Sequence, residues 1–145
     1  MTSKQFLPLP YGKDVYSELK NNGCYFVDKT PYLKDIIDED ESNVMIFTRP
    51  RRFGKTLFMS MVEYFLKINS ANPGDTILQQ KLFKDTKILE DREFCAKYMG
   101  QHPVINLTLK GVYGKTFKAA YYKLAELIVA KAKEYSFLKD SPALN

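Results

Sequence analysis

Asn43-Val44-Met45-Ile46-Phe47-Thr48-Arg49-Pro50-Arg51-Arg52-Phe53-Gly54-Lys55-Thr56-Leu57 is the stretch on which the reading of this 145-residue chain turns. Residues 43–48 form an apolar run rather than an alternating one, the pattern of a strand buried on both faces of a parallel sheet. Residues 49–54 read as a loop. From Thr56 to Ile68, Leu57, Met61, Tyr64, Phe65 and Ile68 recur at helical spacing. Phe58, Met59, Val62 and Leu66 widen that face, so the helix needs packing on more than one side. Gly54-Lys55-Thr56 stands where the strand gives way to the helix. A loop there presents unpaired backbone N–H groups, and the helix dipole adds positive potential. Gly54 lets the main chain approach an anion closely. Lys55 reaches β- and γ-phosphates as a point charge. Thr56 offers its hydroxyl to Mg2+, which takes oxygen ligands.

The match to G-x-x-x-x-G-K-[ST] is incomplete, because Arg49 stands at the first glycine and Pro50 fixes the turn instead. A bare G-K-[ST] arises from composition alone in roughly one chain in ten of this length. Gly114-Lys115-Thr116 is a second copy, again after an expected strand and before an expected helix. Five residues before Gly114 stands Leu109, still in the strand, so this copy reads as a turn and a helix start. What distinguishes the first copy is its company. Arg49, Arg51 and Arg52 cluster beside it, either as a solvated basic loop or as charge-assisted contacts to phosphate.

Upstream, residues 6–12 read as extended and turn-rich. Asp14 is placed to cap a short helix through Val15, Tyr16 and Leu19, ended by Asn21-Asn22-Gly23. Residues 24–27 read as a short strand. Asp28 or Thr30 caps the next helix, with Pro31 early inside it and Tyr32, Leu33, Ile36 and Ile37 on one face, before the acidic run 38–42. Downstream, residues 76–98 read as short helices with Leu78, Leu82, Phe83 and Phe94 turned inward. Residues 103–109 form a further strand. Residues 116–138 form a long helix with Phe117, Tyr121, Leu124, Ile128 and Tyr135 along its stripe, and residues 141–145 fray. The order implies an α/β domain, a short parallel sheet flanked by helices with open edges.

Composition agrees with one globular domain: 45% apolar and 27% charged residues argue against wholesale disorder. No run is apolar enough to span a membrane, and the N-terminus lacks the apolar core of a secretory signal. Cys24 and Cys95 are too few for a disulfide scaffold and read as small apolar fillers. The expectation is a soluble, cytoplasmic protein. A net charge of +5 suits an anionic partner, nucleotide or nucleic acid, and equally suits solubility alone. His102, the sole histidine, cannot build a zinc site by itself. Tyr25 and Phe26 are placed either to stack on a base or to pack in the core.

Gly23-Cys24-Tyr25-Phe26-Val27-Asp28-Lys29-Thr30, followed by Phe47-Thr48-Arg49-Pro50-Arg51-Arg52-Phe53-Gly54-Lys55-Thr56-Leu57, resembles the bacterial AAA-ATPase-like family. Leu82-Phe83 and Pro103-Val104-Ile105-Asn106-Leu107 fit its pattern too. The resemblance implies a P-loop NTPase fold, with ATP and Mg2+ as cofactors and Arg-Pro-Arg-Arg-Phe as the usual loop. It draws attention to Asp28 and Lys29, at a place suited to cover the base or buttress the loop. Two parts of the family pattern are absent: a C-terminal nuclease-like region and the acidic strand end that holds Mg2+ for hydrolysis. The chain therefore reads as the N-terminal portion of a larger ATPase, binding nucleotide without efficient turnover by itself. The phosphate set is Arg52, Phe53, Gly54, Lys55, Thr56 and Leu57, with Arg49, Arg51, Asp28 and Lys29 as secondary members and Thr56 toward Mg2+. Two other readings are a basic nucleic-acid or protein interaction module, and a chain that self-associates through an open sheet edge.

Overall fold

The largest side chains taken fully out of water are Tyr16, Phe65 and Phe83, and the chain is built around them. The computed structural model describes residues 6–37 and 44–140. Among these, α-helices form at Tyr16–Asn21 (α1), Tyr32–Ile37 (α2), Lys55–Leu66 (α3), Ile77–Leu82 (α4), Arg92–Tyr98 (α5) and Phe117–Glu134 (α6). 3-10 turns stand at Lys87–Glu90 and Ser136–Asp140. None of the described helices is long and apolar enough to cross a membrane.

Helix α3 is the centre of the packing. Met61 and Phe65, one turn apart, are buried together. The Phe65 ring meets Phe83 edge-on at 5.3 Å and stacks on Phe94 at 5.8 Å. Tyr16 lies 4.9 Å from Phe83 and edge-on to Phe26 at 5.5 Å. Such aromatic pairs add about 0.5–1.5 kcal/mol each beyond the area they bury.

Polar groups then fix the register. Helix α1 has Val15 at its N-cap and no side-chain cap of its own, so Asp14 does not play the expected part. The Tyr16 amide instead donates to Ser60 Oγ on α3, at 3.0 Å. The Tyr16 hydroxyl donates to the Leu82 carbonyl at 3.2 Å. Burial, with the nearby Asp28 charge, pushes that phenol well above its ordinary range. Both cysteines are buried and free, as apolar fillers are.

The expected parallel sheet does not form. Among the described residues there is no strand, and the isolated backbone pairing is a parallel bridge between Lys67 and His102. The stretches at 24–27, 44–48 and 103–109 lie outside any helix or ladder, and much of their apolar surface faces solvent: Ile46 is 79% exposed and Ile105 is 64% exposed. An apolar run predisposes a chain to strand conformation, but a strand exists only where a neighbour supplies the ladder. At Val104 a side chain takes that place. The Tyr135 hydroxyl accepts from the Val104 amide at 2.9 Å and donates to its carbonyl at 2.6 Å. The acidic run 38–42 and the tail 141–145 lie outside the described residues.

Two further expectations are corrected. Leu78 is 53% exposed while Leu82, Phe83 and Phe94 do turn inward. On α6, Phe117, Tyr121 and Ile128 face outward, and no residue of the helix is buried. The helix is held at its C-terminal end instead. Lys67 bridges Glu134, and Glu63 lies 3.6 Å from the same ammonium. Burial lowers the basicity of Lys67, but the hydrogen bond and charge of Glu134, with Tyr135 and Glu63, outweigh it and leave the ammonium more firmly protonated than usual.

The second Gly-Lys-Thr copy is a turn and a helix start, as its spacing suggests. Thr116 is the N-cap of α6, its hydroxyl accepting from the Ala119 amide at 3.2 Å. A Cβ on Gly114 meets Ala119 Cβ at 2.7 Å and the Ala120 amide nitrogen at 2.8 Å. Gly114→Ala is therefore expected to destabilise the chain by about 1–3 kcal/mol. Urea unfolding should show a lower midpoint at unchanged slope.

Candidate phosphate-binding loop

The loop before α3 reverses direction through two left-handed residues. Gly54 has φ 76° and is the N-cap of α3; Arg52 has φ 68°. Glycine takes this conformation freely, whereas an L-residue gives up roughly 1–2 kcal/mol to hold it. Helix α3 has no side-chain cap and no acid in its first turn. The amide of Phe58 is the first to bond back, to the Gly54 carbonyl at 2.9 Å. Those of Lys55, Thr56 and Leu57 meet no acceptor among the described residues. They are the open donors of a helix start, with the positive end of the dipole behind them. Lys55 arches back across the loop. Its ammonium donates to the Arg49 carbonyl and, at 3.0 Å, to the Pro50 carbonyl.

Two hollows meet at this turn. The larger, about 1300 Å³, is bordered by Arg49, Lys55 and Thr56, with Phe47, Met59 and Ile105 among its walls. The smaller, about 400 Å³, is bordered by Arg52 and Leu57, with Tyr25, Phe26 and Leu19 among its walls. Lys29, Phe53, Gly54 and Phe58 border both. The structure thus gathers most of the residues expected from sequence, but divides them between two sides. Arg51 and Asp28 border neither hollow.

Glu63 and Asn106 also border the larger hollow. The Asn106 side-chain amide donates to Glu63 Oε2 at 2.7 Å. Sequence reasoning did not single them out. Their signal was available: Glu63 is the one acid within α3, and Asn106 interrupts an otherwise apolar run. Among the described residues no group of three or more His, Cys, Asp or Glu is placed to hold a metal ion.

The sequence model of a family described as "Predicted AAA-ATPase" matches residues 10–143. The chain belongs to this AAA-ATPase-like family. No curated protein and no solved structure matches it.

In this AAA-ATPase-like chain Asp28 and Thr30 act as a clasp. Asp28 Oδ1 accepts from the Thr30 amide at 2.9 Å and from its hydroxyl at 2.7 Å. Asp28 Oδ2 accepts from the Lys87 amide at 2.8 Å. The Thr30 hydroxyl accepts in turn from the Ile88 amide at 3.2 Å. The entrance to α2 is thereby pinned to the 3-10 turn at Lys87–Glu90, while the adjoining Lys29 stays on the hollows. Burial pushes the Asp28 carboxyl up, but the Lys87 amide, the Thr30 hydroxyl and amide, and the Lys87 charge outweigh it and hold the carboxyl below its usual range. A carboxyl depressed in the folded state stabilises the fold above its unfolded pKa, and that stability is lost as pH falls through the folded value. Asp28→Ala is expected to cost roughly 1.5–3 kcal/mol at pH 7. In urea titrations, the gap between wild type and variant should narrow as pH drops below about 4.

Proposed function

We propose that this chain binds Mg-ATP through the loop at residues 49–57, with little turnover by itself. The carrying observation is the arrangement at α3: open amides at Lys55, Thr56 and Leu57, a left-handed Gly54 with no Cβ in front of them, and the Lys55 ammonium at the loop mouth. A triphosphate offers the missing acceptors. Its oxygens take the amide hydrogens, and Lys55 exchanges its carbonyl partners for the phosphate charge, a stronger charge-assisted bond. Arg49 stands on the same side to neutralise what Lys55 leaves.

Mg2+ arrives with the nucleotide. It keeps several waters and needs few protein oxygens. Thr56, in the first turn of α3 and on the larger hollow, is the residue that fits it. The ion supplies charge neutralisation across the phosphates when bound. Two acids, Asp35 and Glu63, also border that hollow. Glu63 is engaged by Asn106 and lies near Lys67, which leaves it poorly suited to orient a water. Slow hydrolysis follows from that occupation. Membership of an AAA-ATPase-like family supports nucleotide as the ligand class, and ATP as the nucleotide is our choice within it.

Lys55→Ala should weaken Mg-ATP binding by about tenfold to a hundredfold, the worth of one charge-assisted hydrogen bond. Isothermal calorimetry on the purified chain measures it. Equal affinity of variant and wild type, with matching melting curves, is the result that removes the proposal.

A further inference from the structure

The arginines of the loop are dealt to different sides of it. Arg49 borders the larger hollow together with Lys55 and Thr56, whereas Arg52 borders the smaller one beside Tyr25, Phe26, Phe53 and Phe58. Arg52 departs for that side from a left-handed backbone, φ 68°, which a non-glycine residue keeps only where its surroundings enforce it. The smaller hollow, about 400 Å³, falls within the range of small-molecule sites. Its walls are aromatic and aliphatic, with Arg52 and Lys29 as the charged members, and it meets the loop at Phe53 and Gly54. Tyr25, 53% exposed, and Phe53, 62% exposed, leave ring surface open there, while Phe26 is packed against the core. Open rings beside a guanidinium are suited to a flat heteroaromatic ring. The rings offer stacking faces, and the guanidinium stacks on such a ring or donates from its edge.

We infer that the smaller hollow receives the base of the bound nucleotide and that Arg52 contacts that base rather than the phosphates. This rests on the phosphate-loop reading above. It takes Arg52 out of the phosphate set in which the sequence pattern placed it, and leaves Arg49 with Lys55 on the phosphate side.

The test compares Mg-ATP with inorganic tripolyphosphate plus Mg2+, which keeps the phosphate chain and lacks the base. Both are titrated by calorimetry into the full chain and its variants. Arg52→Asn is the working variant, because asparagine tolerates the left-handed conformation. Arg51→Asn carries the same change of charge from a residue on neither hollow and sets the baseline; melting curves check that all variants fold. Wild type should bind ATP more tightly than tripolyphosphate. Arg52→Asn should weaken ATP by about fivefold to thirtyfold beyond the Arg51→Asn baseline, and leave tripolyphosphate within about twofold of it. Arg49→Ala should weaken both ligands by a similar factor. Equal loss of both ligands in Arg52→Asn makes Arg52 a phosphate ligand and overturns the inference. So does loss of neither, or a wild type that holds tripolyphosphate as well as ATP. In those three outcomes phosphate binding itself survives. Failure of wild type to bind either ligand overturns the loop reading and this inference together.

Discussion

Phe65 lies fully out of water, edge-on to Phe83 and stacked on Phe94, and the position of α3 follows from that burial. A 12-residue helix is a rigid rod of about 18 Å. Seating its third turn in the core therefore aims its first turn. Ser60, on the same helix, receives the opening amide of α1, and Tyr16 carries the tie onward to α4. The open amides at Lys55–Leu57 and the arched lysine are thus held by apolar contacts well behind them. The placement of the start of α3 comes from the core, while the loop carries the open donors and the charge.

The two Gly-Lys-Thr copies show how register decides what a triplet does. At residues 54–56 the glycine is the cap, left-handed, and the lysine and threonine are the first helical residues. Their amides stay open because glycine has no side chain to satisfy them. At residues 114–116 the helix begins two residues later, so the threonine becomes the cap and its hydroxyl satisfies an amide of the first turn. The glycine there is required by the closeness of Ala119 and Ala120. One helix start leaves its donors open, and the other spends its threonine on itself.

Much of the local structure around the loop was legible in the sequence. The helix after Gly54 and the inward Leu82, Phe83 and Phe94 followed from helical periodicity, and capping chemistry marked Asp28 and Thr30 at the entrance to α2. Three things were not. Of the stripe expected on the last helix, Phe117, Tyr121 and Ile128 face outward while Tyr135 is buried, because periodicity marks an apolar face without naming what lies against it. The apolar runs at 44–48 and 103–109 were read as strands and form no ladder among the described residues, with the Val104 backbone taken by Tyr135. Glu63 and Asn106 meet from positions 43 residues apart, a pairing that no local pattern encodes.

Local chemistry, then, belonged to the sequence: where a helix can start, which residue at its start leaves amides open, and which side chains carry charge beside them. Those properties depend on neighbours a few bonds away. The tertiary structure alone decided which apolar segments found partners, which of the loop arginines faces which hollow, and that α3 is anchored by a cluster drawn from residues 16 to 99. These depend on contacts between residues far apart in the chain, whose formation rests on the summed burial of many side chains and on no single local preference.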